Sequence, residues 1–319
     1  MKYNIAVLLG AICYGILSTI VVKAYEHGYT LGEVVGSQLL AGCALAWALA
    51  FGAKRLRGRK RGAGSNVSET SPSDARLSWK QRLTLLAAGT PSAITGLLYY
   101  ESLKTISNSL AIVLLFQFTW IGVLFQAIGS RKRPNKLTLL TLAVLFGGTL
   151  LAAGIVEHSG TSFNGKGVLL GLASAVSYSL FILVSGKAVP HASPASRSAW
   201  MSTGGLLLAF AVFPPTYLFD GTFAGPLALF GLLLGFFGAF LPPVLYTYGV
   251  PRIGGGMAGI LGAAELPVAV LLSAVVLHES VSSLQWFGVA LVLAGVALPE
   301  LVKSFRGPRP LDTRGVSAS

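Results

Sequence analysis

Ten apolar stretches, each about 20 residues long and so each long enough to cross a bilayer as a helix, are separated by short polar or basic breaks in this chain. They run over 4–23, 31–53, 83–103, 109–128, 137–156, 167–186, 198–219, 227–248, 256–277 and 284–302. Each run is long and lacks period-2 alternation, so helices are expected rather than strands. A helix also satisfies its own backbone in lipid, which an open strand cannot. Charged residues make up 11% of the chain, against about 25% in soluble domains. That leaves too few charges to cover a water-facing surface. The expected fold class is an all-α integral membrane protein with ten transmembrane helices.

The charges are informative by position. With the N-terminus inside and the spans alternating, the inner segments hold 21 of the 24 Lys and Arg residues. Only Lys23, Lys104 and Lys166 fall outside. Basic residues collect on the cytoplasmic side of membrane proteins, so both termini are expected in the cytoplasm. The net charge of +13 is therefore a topology signal, and no nucleic-acid partner is expected. The basic run Lys54–Arg61 suits anionic lipid. Segments 62–75 and 307–319 are rich in small polar residues and read as flexible.

No cofactor or metal is expected. Cys13 and Cys43 lie inside apolar stretches, and the four histidines (His27, His158, His191 and His278) are dispersed. No HExxH, CxxC, GxSxG or P-loop string occurs.

The chain aligns with itself. An offset of 147 residues places Tyr99 on Tyr246, Ile106 on Ile253, Ala111 on Ala258, Leu114 on Leu261 and Gly148 on Gly295. Upstream the offset becomes 164, placing Tyr14 on Tyr178 and Lys23 on Lys187. This predicts a first five-span repeat over 1–157, with a basic cytoplasmic loop at 54–82. A second repeat follows over 158–303, then a tail at 304–319. Five is odd, so the second copy enters the membrane inverted. Inverted five-helix repeats are a secondary-transporter architecture with a site near the midplane. Such a pathway is complete in a monomer, and an oligomer is compatible with it.

The ninth stretch reads Gly262-Ala-Ala-Glu265-Leu-Pro267 and continues to Val276-Leu-His-Glu279. With the two five-span halves and the basic inner loops, it resembles the drug/metabolite transporter superfamily, specifically the EamA family. Leu266 stands where that family often has Pro, Gln38 where it often has Arg, and His278 where Gly is common. The resemblance implies a carrier of small metabolites in a bacterial inner (plasma) membrane. Such carriers are commonly exporters of amino acids or related solutes.

Glu265 is the most informative residue. A carboxylate at mid-span costs about 2.5 kcal/mol or more on insertion scales. It must face a wet cavity, pair, or be protonated. It reads either as a substrate-amine or proton site, or as a structural hydrogen bond to a neighbouring helix. Glu101, with Lys104 one turn on, is an interfacial ion pair or an outer-gate carboxylate below Tyr99 and Tyr100. Gln38 and Gln117 are interhelical glue or substrate contacts, and Trp120 lies one turn from Gln117. Tyr14 and Tyr178, like Tyr99 and Tyr246, occupy paired positions that line a pathway or pack. Glu279 and the hydroxyls of 280–283 suit helix capping. Pro242 and Pro243 should kink the eighth span and are candidate hinge residues for alternating access. Pro214 and Pro215 should kink or shorten the seventh.

The expected function is a secondary transporter of a small solute, with no enzymatic activity. No nucleotide loop is present, which leaves a proton or solute gradient as the drive. A cationic drug exporter or a lipid-carrier flippase on the same fold is the alternative. An enzyme acting on lipid-linked substrates is a remote one, because the aspartates and histidines do not cluster.

Overall fold

The computed structural model describes residues 1–62, 77–106, 108–131, 134–152, 164–276, 278 and 281–305. Among them every regular element is helical. The chain runs through α1 (Lys2–Glu26), α2 (Leu31–Gly62), α3 (Trp79–Ser102), α4 (Asn108–Phe116), α5 (Phe118–Ser130), α6 (Lys136–Ala152), α7 (Gly165–Lys187) and α8 (Pro194–Val212). It continues through α9 (Pro226–Leu234), a π-helical turn (Gly235–Phe240), α10 (Leu241–Ile253), α11 (Gly255–Gly262), α12 (Glu265–Val276) and α13 (Ser283–Phe305).

Among the described residues, six helical stretches are long and apolar enough to cross a membrane: Lys2–Glu26, Leu31–Arg55, Ala111–Ser130, Gly165–Lys187, Pro226–Ile253 and Gly255–Val276. Lys136–Ala152 and Ser283–Leu298 are shorter apolar helices. The third and seventh apolar stretches fall on α3 and α8, which are more polar. Their hydroxyls are used inside the protein. Thr203 accepts a hydrogen bond from Trp47 Nε1 at 2.9 Å, and Pro91 O accepts one from Ser177 Oγ at 2.8 Å.

Local chemistry accounts for the helix ends. Ser78 and Gln81 form a reciprocal capping box at the start of α3, as do Ser282 and Gln285 before α13. Helix α8 stops at Val212, just before Pro214-Pro215, so these prolines shorten it. Helix α2 runs on through the basic residues after Ala53 to Gly62. Lys, Arg and Leu are good helix formers and no proline intervenes, so the part of the expected loop at 54–61 is helical. Residues 79–82 of that expected loop open α3, while 63–76, the tail from 306, and the capping candidates Glu279 and Ser280 lie outside the described residues.

Two spans are interrupted. Between α4 and α5, Gln117 N bonds to Leu114 O at 3.2 Å, a tightened i→i−3 bond. Between α11 and α12, Ala263 N and Ala264 N make the same kind of bond to Ile260 O and Leu261 O. Pro267 explains the second break. It has no N–H, and its ring would meet the carbonyl four residues back, at Ala263. The helix can restart only with Pro267 in its first turn, which makes Glu265 the opening residue of α12.

Helix contacts are close because small residues face each other. Helix α1 packs on α10 and α12, α3 on α7 and α8, α2 on α8 and α9, and α6 on α13. At the α3–α8 crossing, a Cβ on Gly89 would lie 1.8 Å from Met201 O, and one on Gly204 would lie 1.9 Å from Leu86 O. Only glycine permits that approach.

Gly89→Ala should therefore destabilise the protein by about 1–3 kcal/mol, the usual range for overpacking. The expected readout is a lower thermal midpoint in detergent. Gly52→Ala, where a Cβ meets nothing within 4 Å, should leave the midpoint unchanged.

Candidate functional site

The break before α12 opens onto a cavity of about 100 Å³ enclosed by α1, α2, α3, α4, α7, the π-helical turn and α12. Its wall includes Tyr14 and Ser18 from α1, Gln38 from α2, and Ser92, Thr95, Tyr99 and Tyr100 from α3. Phe116 of α4, Tyr178 of α7, and Gly238 and Ala239 of the π turn join them, with Glu265. Glu265 thus sits in the wall of a mainly apolar pocket that carries several hydroxyls and the Gln38 amide. Its Oε2 is buried without a protein hydrogen-bond partner, as are the hydroxyls of Tyr178 and Tyr246. The hydroxyls of Tyr14, Tyr99, Tyr100, Tyr178 and Tyr246 all lie near enough to interact with a charge on Glu265. Among the described residues, no Lys or Arg lines the cavity.

Backbone close to Glu265 is held by α1. A Cβ on Gly15 would lie 2.5 Å from Glu265 O and 2.7 Å from Val268 Cβ, so Gly15 lets α1 rest directly on the first turn of α12. On the opposite wall, Pro242 and Pro243 open α10. Their rings would meet the carbonyls of Gly238 and Ala239 four residues back. The chain takes up this mismatch as the π turn Gly235–Phe240, a distortion common at functional sites. The irregularity expected at the prolines therefore falls one turn earlier, in the cavity wall itself.

Against the cavity lies a buried aromatic layer that shares Tyr178 with its wall. Phe118 and Tyr178 have ring centroids 4.6 Å apart, Tyr178 and Phe181 6.3 Å, and Phe181 and Tyr246 6.2 Å. Tyr14 meets both Tyr178, at 5.6 Å, and Tyr246, at 6.0 Å. Phe118, Phe181 and Tyr246 are almost wholly buried. Beside this layer, the buried Arg197 of α8 donates from Nη1 to Thr247 O at 3.1 Å and from Nη2 to Ser185 O. It ties the last turn of α7 and the middle of α10 to the start of α8.

The structure brings Glu265, Tyr14, Tyr178, Gln38 and Tyr99 together and leaves the other candidates apart. Tyr246 belongs to the aromatic layer. Glu101 pairs with Lys104 at 2.8 Å, three residues on, away from the cavity wall. Gln117 repairs the α4–α5 break. Its Nε2 donates to Val113 O at 2.8 Å, the carbonyl that the tightened turn releases, and its Oε1 accepts from Trp120 Nε1 at 2.7 Å. Trp120 is 43% exposed on the outer surface. Sequence reasoning missed Ser92 and Thr95, although with Tyr99 they form a polar stripe at helical spacing along α3. It also assigned Arg197 to a loop, because prolines and small polar residues precede it in the chain.

Gln117→Leu should strand the Val113 carbonyl, costing about 1–3 kcal/mol, and lower the thermal midpoint. Because Gln117 does not line the cavity, thiol labelling of a cysteine placed at Thr95 should be unaffected. The two native cysteines are buried and should contribute little background.

Residues 165–299 match the model of the EamA-like transporter family. The "Uncharacterized inner membrane transporter YicL" of Salmonella typhimurium is 30% identical over 227 residues, covering 70% of this chain and 74% of that protein. The "Uncharacterized transporter sll1319" of Synechocystis is 25% identical over 205 residues, 63% of this chain and 61% of that one. The "Uncharacterized transporter YetK" of Bacillus subtilis is 30% identical over 186 residues, 54% of each. A solved crystal structure superposes with a TM-score of 0.69 at 19% identity, covering 93% of this chain and 98% of that one, a likeness of fold alone. By the extent of its match to the Salmonella protein and by the family model, the chain is a membrane transporter of the EamA-like family.

Proposed function

We propose that this protein is a secondary transporter, working outward, for a small metabolite such as an amino acid or a related solute. It binds the solute in the cavity beside Glu265 and moves it by alternating access across a bacterial inner membrane. The observation that carries this reading is the cavity itself. One carboxyl with a buried oxygen that lacks a partner, tyrosines and neutral polar groups from several helices converge at a helix break. Broken spans and binding sites coincide in transporters.

The architecture in this reading is ten spans in two inverted repeats, divided at about residue 157, with both termini cytoplasmic. Helix starts support it. Those of α3, α4, α5 and α6 at 79, 108, 118 and 136 recur 147 residues later at 226, 255, 265 and 283. Packing supports it too. Helix α1 on α10 mirrors α7 on α3, α1 on α12 mirrors α7 on α5, and α2 on α8 and α6 on α13 pair counterparts with each other. The relative's designation as an inner-membrane transporter supports the location. A cationic solute is the second reading, favoured by the lone carboxylate of the cavity. The hinge is assigned to Pro242-Pro243 together with the π turn they impose.

Counterflow in proteoliposomes against a panel of amino acids, cationic dyes and nucleosides tests the reading. One class should exchange, and Glu265→Gln should reduce that exchange at least tenfold and remove its pH dependence. Unchanged transport in Glu265→Gln would sink the assignment of Glu265. The double variant Pro242→Ala/Pro243→Ala should relax the π turn and slow turnover several-fold with little change in apparent affinity. Unaltered turnover would rule the hinge out.

A further inference from the structure

Arg197 lies outside the cavity wall and is 2% exposed. Among the described residues no carboxylate pairs with it, and its Nε is buried without a partner. Ionisable groups enclosed between spans are rare and mark functional positions. The local sequence explains the two bonds that hold it. Thr247 O would accept from the residue four places on, which is Pro251 and has no N–H. Ser185 O is among the last carbonyls of α7, which ends at Lys187. Arg197 therefore donates to two carbonyls that their own helices leave unsatisfied, from Nη1 to Thr247 O at 3.1 Å and from Nη2 to Ser185 O. Such charge-assisted bonds are about twice as strong as neutral ones.

These bonds lie where the two halves of the chain differ in packing. Helix α7 packs on α10, and α5 on α11, beside the aromatic layer. Their counterparts at the two offsets are α1 with α3 and α12 with α4. Those pairs make no comparable contact and face each other across the cavity. The Arg197 tie thus spans a seam that is shut on one side and open on the other. Helix α2, the counterpart of α8, shows what stands on the open side. The first backbone bond of α8 runs from Arg197 N to Ser193 O at 2.9 Å, and that of α2 from Val34 N to Thr30 O at 3.0 Å. Arg197 and Val34 are therefore equivalent positions, each four residues after a capping hydroxyl. The Val34 side chain has no donor to offer.

Resting on the alternating-access reading above, we propose that Arg197 is a positioning residue that latches the seam between α7 and α10 and sets the conformation in which the empty carrier waits. Exchanging the conformations of the repeats would part α7 from α10, as α1 and α3 are parted now, and would break both bonds. On the other side Val34 would form none in their place. The two conformations are therefore unequal in energy when the cavity is empty, and the one with α7 and α10 joined prevails. With both termini cytoplasmic, the latched side is the inner one, and the empty site faces outward.

The test reads the population of each conformation by labelling thiols of the full chain in lipid nanodiscs with a hydrophilic maleimide. Ser18 lines the cavity, and Ile182, its counterpart at the 164-residue offset, is 2% exposed. Ser18→Cys should label quickly and Ile182→Cys slowly, each against the background of the buried native cysteines. Adding Arg197→Ala should raise the labelling rate of Ile182→Cys at least tenfold, because that rate follows the population of the opposite conformation. It should not raise the rate at Ser18→Cys. If size-exclusion profiles show that Arg197→Ala does not fold, Arg197→Gln, whose amide reaches one carbonyl at most, should raise Ile182→Cys labelling about threefold. Unchanged labelling of Ile182→Cys in a folded variant would overturn the latch, as would faster labelling at both positions, the mark of a loosened fold. The counterflow assay separates this inference from the reading it rests on. If labelling is unchanged while one solute class exchanges, the latch falls and the carrier reading stands. If labelling shifts as expected while nothing exchanges, the latch stands as a conformational switch and the carrier reading falls.

Discussion

A carboxylate inside a membrane span has to be surrounded before the rest of the span can fold around it. Glu265 fulfils this requirement through a backbone device. Pro267 forbids helix continuity through Ala263, so the chain restarts at Glu265. The restart turns the carboxyl toward space bounded by α1, α3 and α7. Gly15 then allows α1 to lie against the same turn. Proline, glycine and glutamate thus form one unit, and the cavity follows from it. Hydrocarbon supplies no water to rescue a misplaced polar group, so this local arrangement constrains every helix that touches it.

Adhesion between the helices comes from small residues rather than from a hydrophobic core in the soluble sense. Lipid is as apolar as leucine, so packing has to gain from contact and shape. The Gly89 and Gly204 contacts between α3 and α8 achieve this by bringing backbone to backbone. Serine and threonine hydroxyls turn inward to carbonyl oxygens, as Ser177 of α7 does to Pro91 of α3. A scaffold held in this way is close-fitting yet has few strong directional bonds across its middle.

Much of the fold was legible in the sequence. Apolar run length gave the helices, and the 147-residue offset anticipated where their starts recur. Glu265 stood out because a charge in the middle of an apolar run has a high cost. Tyr14, Tyr178, Tyr99 and Gln38 were legible as polar or amphipathic side chains within spans, and all four line the cavity. Gln117 looked the same in sequence, yet it repairs its own helix break. Residue type and depth cannot distinguish a side chain that faces a cavity from one that folds back on a freed carbonyl. The π turn was illegible for a related reason. Pro242 and Pro243 announce a distortion, but where the chain takes it up depends on packing against α2, which run length does not encode.

Arg197 carries a consequence for the pathway as an electrical object. Its guanidinium is buried and bonded to the carbonyls of Ser185 and Thr247, and among the described residues no carboxylate pairs with it. Carbonyl dipoles solvate a charge without cancelling it. Field lines from a buried cation reach far in a low-dielectric interior. Helix starts recur at a 147-residue offset, but the charges do not: a guanidinium lies where α7, α8 and α10 meet, and a carboxyl lies in the cavity wall. A charge brought near Arg197 and one brought to the cavity wall therefore meet groups of opposite kind, and the electrostatic work differs between the two places.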